Sequence, residues 1–413
     1  MSFDPAERRR LRQEKAKLRA QKQKKLLIRL GIAAGALVLL ILLVIVISRP
    51  KAPQITTAPD GTSVIDKNGS TTVQLTFGGD LNVTDAVVEA GGSDYNYTPV
   101  FMDVVPHLAS ADLTALNFEG VLYGSPYGSA GSGSAPQELL QALDRGGVDL
   151  LQVANSCSLN KGLSGLASTL QSVRAAGMEP VGAYADRQEL QKGEGYIVCN
   201  VNGVRIAFVA FTKGMDGLAL PSGSEGCVNV LYSDYDSTYQ TVDTEGITKV
   251  LEAVEKAEAD LTVAMLHWGS EFNDTVSESQ EQIVELLQAG GVDAIIGTHS
   301  HYVQKMVHDQ ETGNFVAYCL GDFISDADRA GSEYSVLLNL QITKDNKSGE
   351  TRVSGFDYTP IFTVREEGKP LRVVRIKEAL TAFENGHLDA VTEPTYQAML
   401  YALDRIDARV KGE

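Results

Sequence analysis

Eleven arginines and lysines between Arg8 and Arg29 run directly into Leu30–Ile47, a stretch of apolar residues without a single charge. About 20 apolar residues, rising about 1.5 Å each in a helix, cross the roughly 30 Å hydrocarbon core of a bilayer, and Leu26 to Ser48 meets that length. The pattern predicts a transmembrane helix over 26–48 preceded by a basic cytoplasmic tail over 1–25. The basic excess keeps that end inside, so the reading is a single-pass protein of the cell membrane whose bulk, residues 52–413, is extracellular. A cleavable signal peptide would end in a small-x-small site, whereas this run ends Val46-Ile47-Ser48-Arg49-Pro50. The same basic stretch read as a nucleic-acid-binding arm sits poorly against an adjoining membrane span.

Charge separates the two parts of the chain. Residues 1–51 hold 13 of the 36 basic and 3 of the 53 acidic side chains, leaving 23 against 50, or −27, in the remainder. So acidic a domain is a poor partner for nucleic acid or anionic lipid. Four cysteines, Cys157, Cys199, Cys227 and Cys319, are too few to build a disulfide framework. One bridge, Cys199 to Cys227, is the pairing expected from proximity in sequence, with four buried thiols as the alternative.

Residues 49–70, with Pro50, Pro53, Pro59, Gly61 and Gly69 among polar neighbours, read as an extracytoplasmic stalk, and the folded domain is expected over 71–413. Short apolar runs at 73–77, 113–118, 148–153, 180–184, 206–211, 261–266 and 292–296 read as strands. Amphipathic stretches at 138–145, 166–176, 246–259 and 279–289 separate several of them, and this alternation predicts an α/β fold. From 305 to 376 the helical period gives way to alternating runs at 315–319, 334–342, 351–358 and 371–376, expected as antiparallel strands with a turn at Asn346–Gly349. A final helix is predicted over 395–410.

Chemistry concentrates where strands end, the place at which α/β folds build sites. His267 closes one apolar run, and His299 and His301 closely follow another. Alternation along an extended segment sends His299 and His301 to one side, offering two imidazoles to one place. Asp80 ends the first strand in Phe77-Gly78-Gly79-Asp80, and Glu119 ends the second in Asn117-Phe118-Glu119-Gly120. Carboxylates and imidazoles in this combination have the composition of a metal site; hydrogen-bonded loop histidines and helix-capping acids are the alternatives. His107, His308 and His387 lack such context and read as surface or structural residues.

In this order the segments resemble the CapA-type capsule and poly-γ-glutamate synthesis family, whose domain is similar to calcineurin-like metallophosphatases. The stretches that carry the resemblance are Phe77–Asp80, Ala111–Leu113 with Asn117–Glu119, Val153–Asn155 with Gly162, Gly182-Ala183, Leu266–Phe272, Gly297–His301 with Gln304, and Tyr318–Phe323. The resemblance implies a four-layer α-β-β-α sandwich with two divalent metal ions (manganese, iron or zinc) at the strand ends. By position Asp80 and His301 would hold one metal, His267 and His299 the other, with Glu119 between them. Trp268 and Glu271 would be substrate contacts, with core packing the other role open to Trp268, and Asn155 and residue 157 would serve the chemistry.

Departures from the pattern fall at that last place. Where the family reads Ala-Asn-Asn-His-x-x-Asp-x-Gly, this chain reads Ala154-Asn155-Ser156-Cys157-Ser158-Leu159-Asn160-Lys161-Gly162. Cys157 thus takes the position of the proton-donating histidine, and Asp322 stands where the family has asparagine. Two readings remain: a two-metal hydrolase with an altered site that acts in synthesis, release or anchoring of a surface polymer, or a non-catalytic subunit that assembles with membrane synthase or export proteins. The glycine- and serine-rich loop from Gly124 to Pro136 is either a flap over the site or a solvated linker.

Overall fold

The computed structural model describes residues 69–413 apart from Ala327, Leu388 and Asp389. The expected basic tail, transmembrane helix and nearly all of the stalk lie outside these residues. No helix among the described residues is long and apolar enough to cross a membrane.

Among the described residues fourteen strands form two sheets. The first contains β1 (Ser70–Asn82), β2 (Leu113–Glu119), β3 (Leu150–Gln152), β4 (Glu179–Val181), β11 (Asp322–Ile324), β12 (Tyr334–Asp345), β13 (Thr351–Val364) and β14 (Arg372–Arg375), in the order β14-β13-β12-β1-β2-β3-β4, with β11 also paired to β1. The second contains β5 (Tyr196–Val201), β6 (Val204–Thr212), β7 (Leu261–His267), β8 (Ala294–Thr298), β9 (Met306–His308) and β10 (Phe315–Ala317), in the order β5-β6-β7-β8-β10-β9. In chain order the helices are α1 (Asp85–Ala90), α2 (Thr98–Phe101), α3 (Val105–Leu108), α4 (Gln137–Gly146), α5 (Gly162–Ala175), α6 (Arg187–Gly193), α7 (Thr244–Lys256), α8 (Glu278–Ala289), α9 (Ile376–Glu384) and α10 (Glu393–Lys411).

Strands β2, β7 and β8 are buried at every position, as continuous apolar strands covered on both faces must be. Alternate residues sort into different layers. Phe208 and Ala210 of β6 join Phe77 of β1 and Leu338 of β12 in the core between the sheets. Val209 and Phe211 face outward onto Ile247 and Leu251 of α7 and Ile283 and Leu287 of α8. On the far side Leu116 and Phe118 of β2 pack on Leu139, Leu140 and Leu143 of α4. The result is the four-layer α-β-β-α sandwich. Helix α8 opens on a reciprocal capping box between Ser277 and Gln280, which fixes where the helix starts.

Two expectations are corrected here. Strand β10 is not part of an antiparallel meander: it pairs parallel with β8 and antiparallel with β9, because its apolar residues are buried between layers and complete the second sheet. All four cysteines are free thiols, so Cys199 and Cys227 are not bridged, and both are packed in the interior. His107 and His308 hydrogen-bond to Asn339 and to the Val353 carbonyl, respectively, in structural roles.

The last helix is capped from a distance. Glu366 Oε1 accepts from the Thr392 N–H at 2.6 Å and from Thr395 Oγ1 at 2.9 Å, while Oε2 accepts from Lys369 Nζ at 2.7 Å. Burial alone would raise the pKa of this side chain, but these donors outweigh it and hold the carboxyl at about 2. A depressed pKa stabilises the fold above the unfolded value of about 4.5 and ceases to do so as pH falls toward 2. Glu366→Gln should therefore lower stability by about 1 kcal/mol at neutral pH, and urea midpoints of the two proteins should converge below pH 3.

Candidate metal centre

Glu119 and His267 are the last residues of β2 and β7, Asp80 lies near the end of β1, His299 and His301 follow β8, and Asp322 opens β11. In β1 the register passes from Phe77↔Ala115 to Asp80↔Asn117, so Gly78 and Gly79 stand against a single residue of β2. Such a bulge re-aims the side chain that follows it. Beyond it β1 pairs with β11 in the register Asp80↔Asp322, which brings two acids side by side. Gly79 is required there: a Cβ would lie 1.7 Å from the Gly321 carbonyl oxygen, the group that accepts from the Asp80 N–H at 3.1 Å.

Six side chains form two groups. Glu119, His267 and His299 bring one donor atom each to within 4.8 Å of one another, and so do Asp80, His301 and Asp322. His301 Nδ1 lies 2.7 Å from Asp322 Oδ1 and 4.0 Å from Asp80 Oδ2. His267 Nδ1 lies 3.7 Å from Asp80 Oδ1, and its Nε2 lies 3.4 Å from Glu119 Oε1. The His267 and His299 rings are 4.4 Å apart between centroids.

The backbone that delivers the histidine pair is not extended. His299 and His301 have φ of 89° and 59°, a conformation that costs of order 1–3 kcal/mol at non-glycine residues and collects at functional sites. The His299 N–H donates to Asp80 Oδ2 at 2.8 Å, which helps hold the turn. This corrects the alternation argument: the two imidazoles reach neighbouring ligand groups through two left-handed residues, with His299 in one group and His301 in the other.

Electrostatics of the metal-free site follow from burial and crowding. Burial by itself would lower the pKa of His267 and His301, but Glu119 and Asp80 raise His267 to about 9, and Asp322, with Glu119 and Asp80, raises His301 to about 10. His299 goes the other way, driven well below its usual value by burial and by the neighbouring cations. Burial would raise Asp80, yet the adjoining His267 and the charges of both imidazoles hold it low. Asp322 is pushed up to about 6 by burial.

The donor set fits divalent cations. Glu119 Oε2, His267 Nε2 and His299 Nδ1 are buried without a hydrogen-bond partner, although His267 Nε2 is close to Glu119 Oε1. Unpaired buried polar atoms are rare and costly, and all three of these belong to one ligand group. Carboxylate oxygen with imidazole nitrogen suits manganese, iron or zinc.

The other expected site residues fall as follows. Glu119 groups with His267 and His299. Glu271 lines a cavity of about 230 Å³ with His299 and Ser156. Trp268 is not a substrate contact: it is fully buried, donates Nε1–H to the Tyr318 carbonyl at 2.8 Å and stacks on that residue's ring. Asn155 donates to Asn117 Oδ1 and the Phe118 carbonyl and accepts from the Cys157 N–H, so both ends of its amide are spent on positioning its loop. Ser156 donates its hydroxyl to Glu119 Oε1. The Cys157 thiol belongs to neither ligand group, and burial and the Glu119 charge push its pKa far up. Residues 124–136 are pinned by Ser129 to Asp85 and by the Ser132 carbonyl to Asn160, with Gly133 beside Cys157. They are thus no plain solvated linker. Asp322, Lys213 and Asp216 were not expected as site residues; the sequence marked the first only as a departure from the family's asparagine, and Lys213 gave no signal.

Two carboxylate–imidazole groups at the strand ends of a four-layer α/β domain make up a candidate metal centre. The chain belongs to the bacterial capsule synthesis protein family PGA_cap, whose match covers residues 74–327. It is 27% identical to the capsule biosynthesis protein CapA of Bacillus anthracis over 266 residues, 63% of this chain and 60% of that protein's length. It is 26% identical to the PGA biosynthesis protein CapA of Bacillus subtilis over 314 residues, 73% of this chain and 77% of that one. Among solved structures, the calcineurin-like phosphoesterase YfkN of Bacillus subtilis aligns at 14% identity over 81% of this chain and 99% of that chain, with a TM-score of 0.43.

Proposed function

We propose that this protein is anchored in the cell membrane by residues 26–48, displays its folded domain outside the cell, and acts there in synthesis, release or anchoring of an anionic surface polymer of the poly-glutamate type through a two-metal centre. The observation that carries this reading is the pair of ligand groups, one with three buried and unpartnered donor atoms. Glu119, His267 and His299 would hold one ion and Asp80, His301 and Asp322 the other. Two such ions supply Lewis acidity and a nucleophilic water at neutral pH. The protein's own residues orient the ligands: Asn117 donates to Asp80 Oδ1 and lies 3.2 Å from His267 Nδ1, and Asn82 donates to Asp322 Oδ1 at 3.0 Å.

The test is biological and topological. Cells that carry only the Asp80→Ala chain should lose most of their surface polymer, and protease added to intact protoplasts should remove the outer domain. Normal polymer with Asp80→Ala, or a protected domain, would defeat the corresponding half of the proposal.

One observation favours a second reading, an assembly subunit that hydrolyses nothing. A half-buried thiol whose pKa is pushed far up stands where the resemblance expects an imidazole, and loss of a general acid removes about 10²–10⁴ in rate. Under the hydrolase reading Cys157→His should raise turnover of a phosphoester or amide substrate; under the assembly reading neither protein turns over.

Metal binding should be linked to protons. His267 and His301 keep their protons at pH 7.5 in the metal-free protein, and ligation requires neutral imidazole. Calorimetry in two buffers of different ionisation enthalpy should therefore show about two protons released per chain on loading, with apparent affinity rising with pH until about 9–10. Release of none would contradict the protonation of the metal-free site. The sign for stability is opposite: raised histidine pKa values stabilise the metal-free fold below pH 6.5, and that contribution is lost as pH climbs through 9 to 10.

A further inference from the structure

In front of His299 lies a cavity of about 230 Å³ whose wall includes Ser156, Lys213, Asp216, Tyr239 and Glu271. Ligand pockets for drug-sized molecules run from about 300 to 1,000 Å³, so this one admits a single end group of a longer molecule. Lys213 is the one lysine or arginine on that wall among the described residues. It follows β6 directly, and its N–H donates to the His267 carbonyl at 2.8 Å, which ties its backbone to a ligand strand. Its ammonium donates to the Gly269 carbonyl at 2.8 Å and stands 4.9 Å from the centre of the Tyr239 ring.

An ammonium carries three donors, and the structure uses one. Among the described residues Lys213 forms no ion pair; Asp216 and Glu271 share its cavity without reaching it. A half-buried cation with two spare donors, held against a carbonyl and an aromatic face, is preorganised for an anion. The acids on the same wall repel a second anionic group, so one anionic end is admitted and its hydrogen-bond-donating remainder is turned toward Asp216 and Glu271. The geometry points to Lys213 as the specificity-determining residue that receives a carboxylate or phosphate of a ligand lodged against the Glu119–His267–His299 group. The inference rests on the metal-centre reading above and deepens it.

Calorimetry on the manganese-loaded full chain tests this, with inorganic phosphate titrated in one arm and N-acetyl-L-glutamate in the other, and metal content measured in parallel. Lys213→Gln keeps a donor for the Gly269 carbonyl but removes the charge, and Lys213→Arg keeps the charge. The expected result is binding in at least one arm, weakened roughly 10- to 100-fold by Lys213→Gln, the worth of a charge-assisted bond, at unchanged metal content and largely recovered in Lys213→Arg. The arm that responds identifies the source of the anion. Equal affinity in Lys213→Gln, or no binding in either arm by a fully loaded wild type, overturns the assignment of Lys213. A wild type that retains no manganese overturns the metal-centre reading and this inference with it, and the metal measurement tells the two failures apart.

Discussion

Asp80→Ala is expected to cost the metal-free protein about 3–5 kcal/mol and to abolish binding at the Asp80–His301–Asp322 group. Asp80 is fully buried and stands between both raised imidazoles, 3.7 Å from His267 and 4.0 Å from His301. It also accepts the His299 N–H. Removing it leaves buried positive charge and an orphaned donor, the combination that makes breaking a buried pair far more harmful than deleting one at the surface. Urea denaturation in a chelator measures the effect. Asp80→Asn keeps an acceptor for His299 and loses only the charge, so it should fall between wild type and alanine. A loss under about 1 kcal/mol, as for an exposed pair, would show that Asp80 does not hold these imidazoles charged.

Gly79→Ala should be comparably severe without removing any functional group. The added carbon would sit 1.7 Å from one backbone atom, the Gly321 oxygen, and 2.8 Å from another, the Gly321 carbonyl carbon, so no rotamer change relieves it. Strands β1 and β11 must part at the register Asp80↔Asp322. We expect a loss of about 4 kcal/mol or more, in the range reserved for strained backbone and overpacked cores, together with a fall in metal affinity at the Asp80 group. Gly355→Ala in β13, whose new carbon would meet only the end of the Gln341 side chain, no closer than 3.5 Å, is the control and should shift the midpoint little. Equal midpoints for the two variants would refute the close crossing of β1 and β11.

Much of this fold was legible because its strands are buried on both faces and therefore read as unbroken apolar runs, as at 113–118, 261–266 and 292–296. The acids and histidines that end those runs, Asp80, Glu119 and His267, announced the site for the same reason: a polar residue after a buried strand marks the edge of the sheet. What did not show was long-range pairing. Strand β10 looked like a hairpin arm because its parallel partner β8 precedes it by some twenty residues, and nothing local specifies that pairing. Asp322 became a ligand candidate only through its register with Asp80. Strand β5 was missed because its residues at the sheet edge are half-exposed, which dilutes the apolar run.

The histidine pair shows where the alternation argument used the wrong geometry. His299 and His301 enter neighbouring ligand groups because both residues take left-handed conformations, a feature invisible to a period-two argument. Trp268 illustrates the converse, since adjacency to a ligand residue on a strand places a side chain on the opposite face. His267 enters the site, and Trp268 is buried against α8 and Tyr318 in the outer core.

The central claim is that the two side-chain groups hold metal, and elemental analysis by plasma mass spectrometry tests it most directly. The purified full-length chain, equilibrated with manganese and zinc and freed of unbound ions, should retain close to two transition-metal ions. The His267→Ala, His299→Ala double variant should lose the ion of the Glu119 group while remaining folded by circular dichroism. Retention of no metal by the wild type, or of the same amount by the folded double variant, would contradict the account.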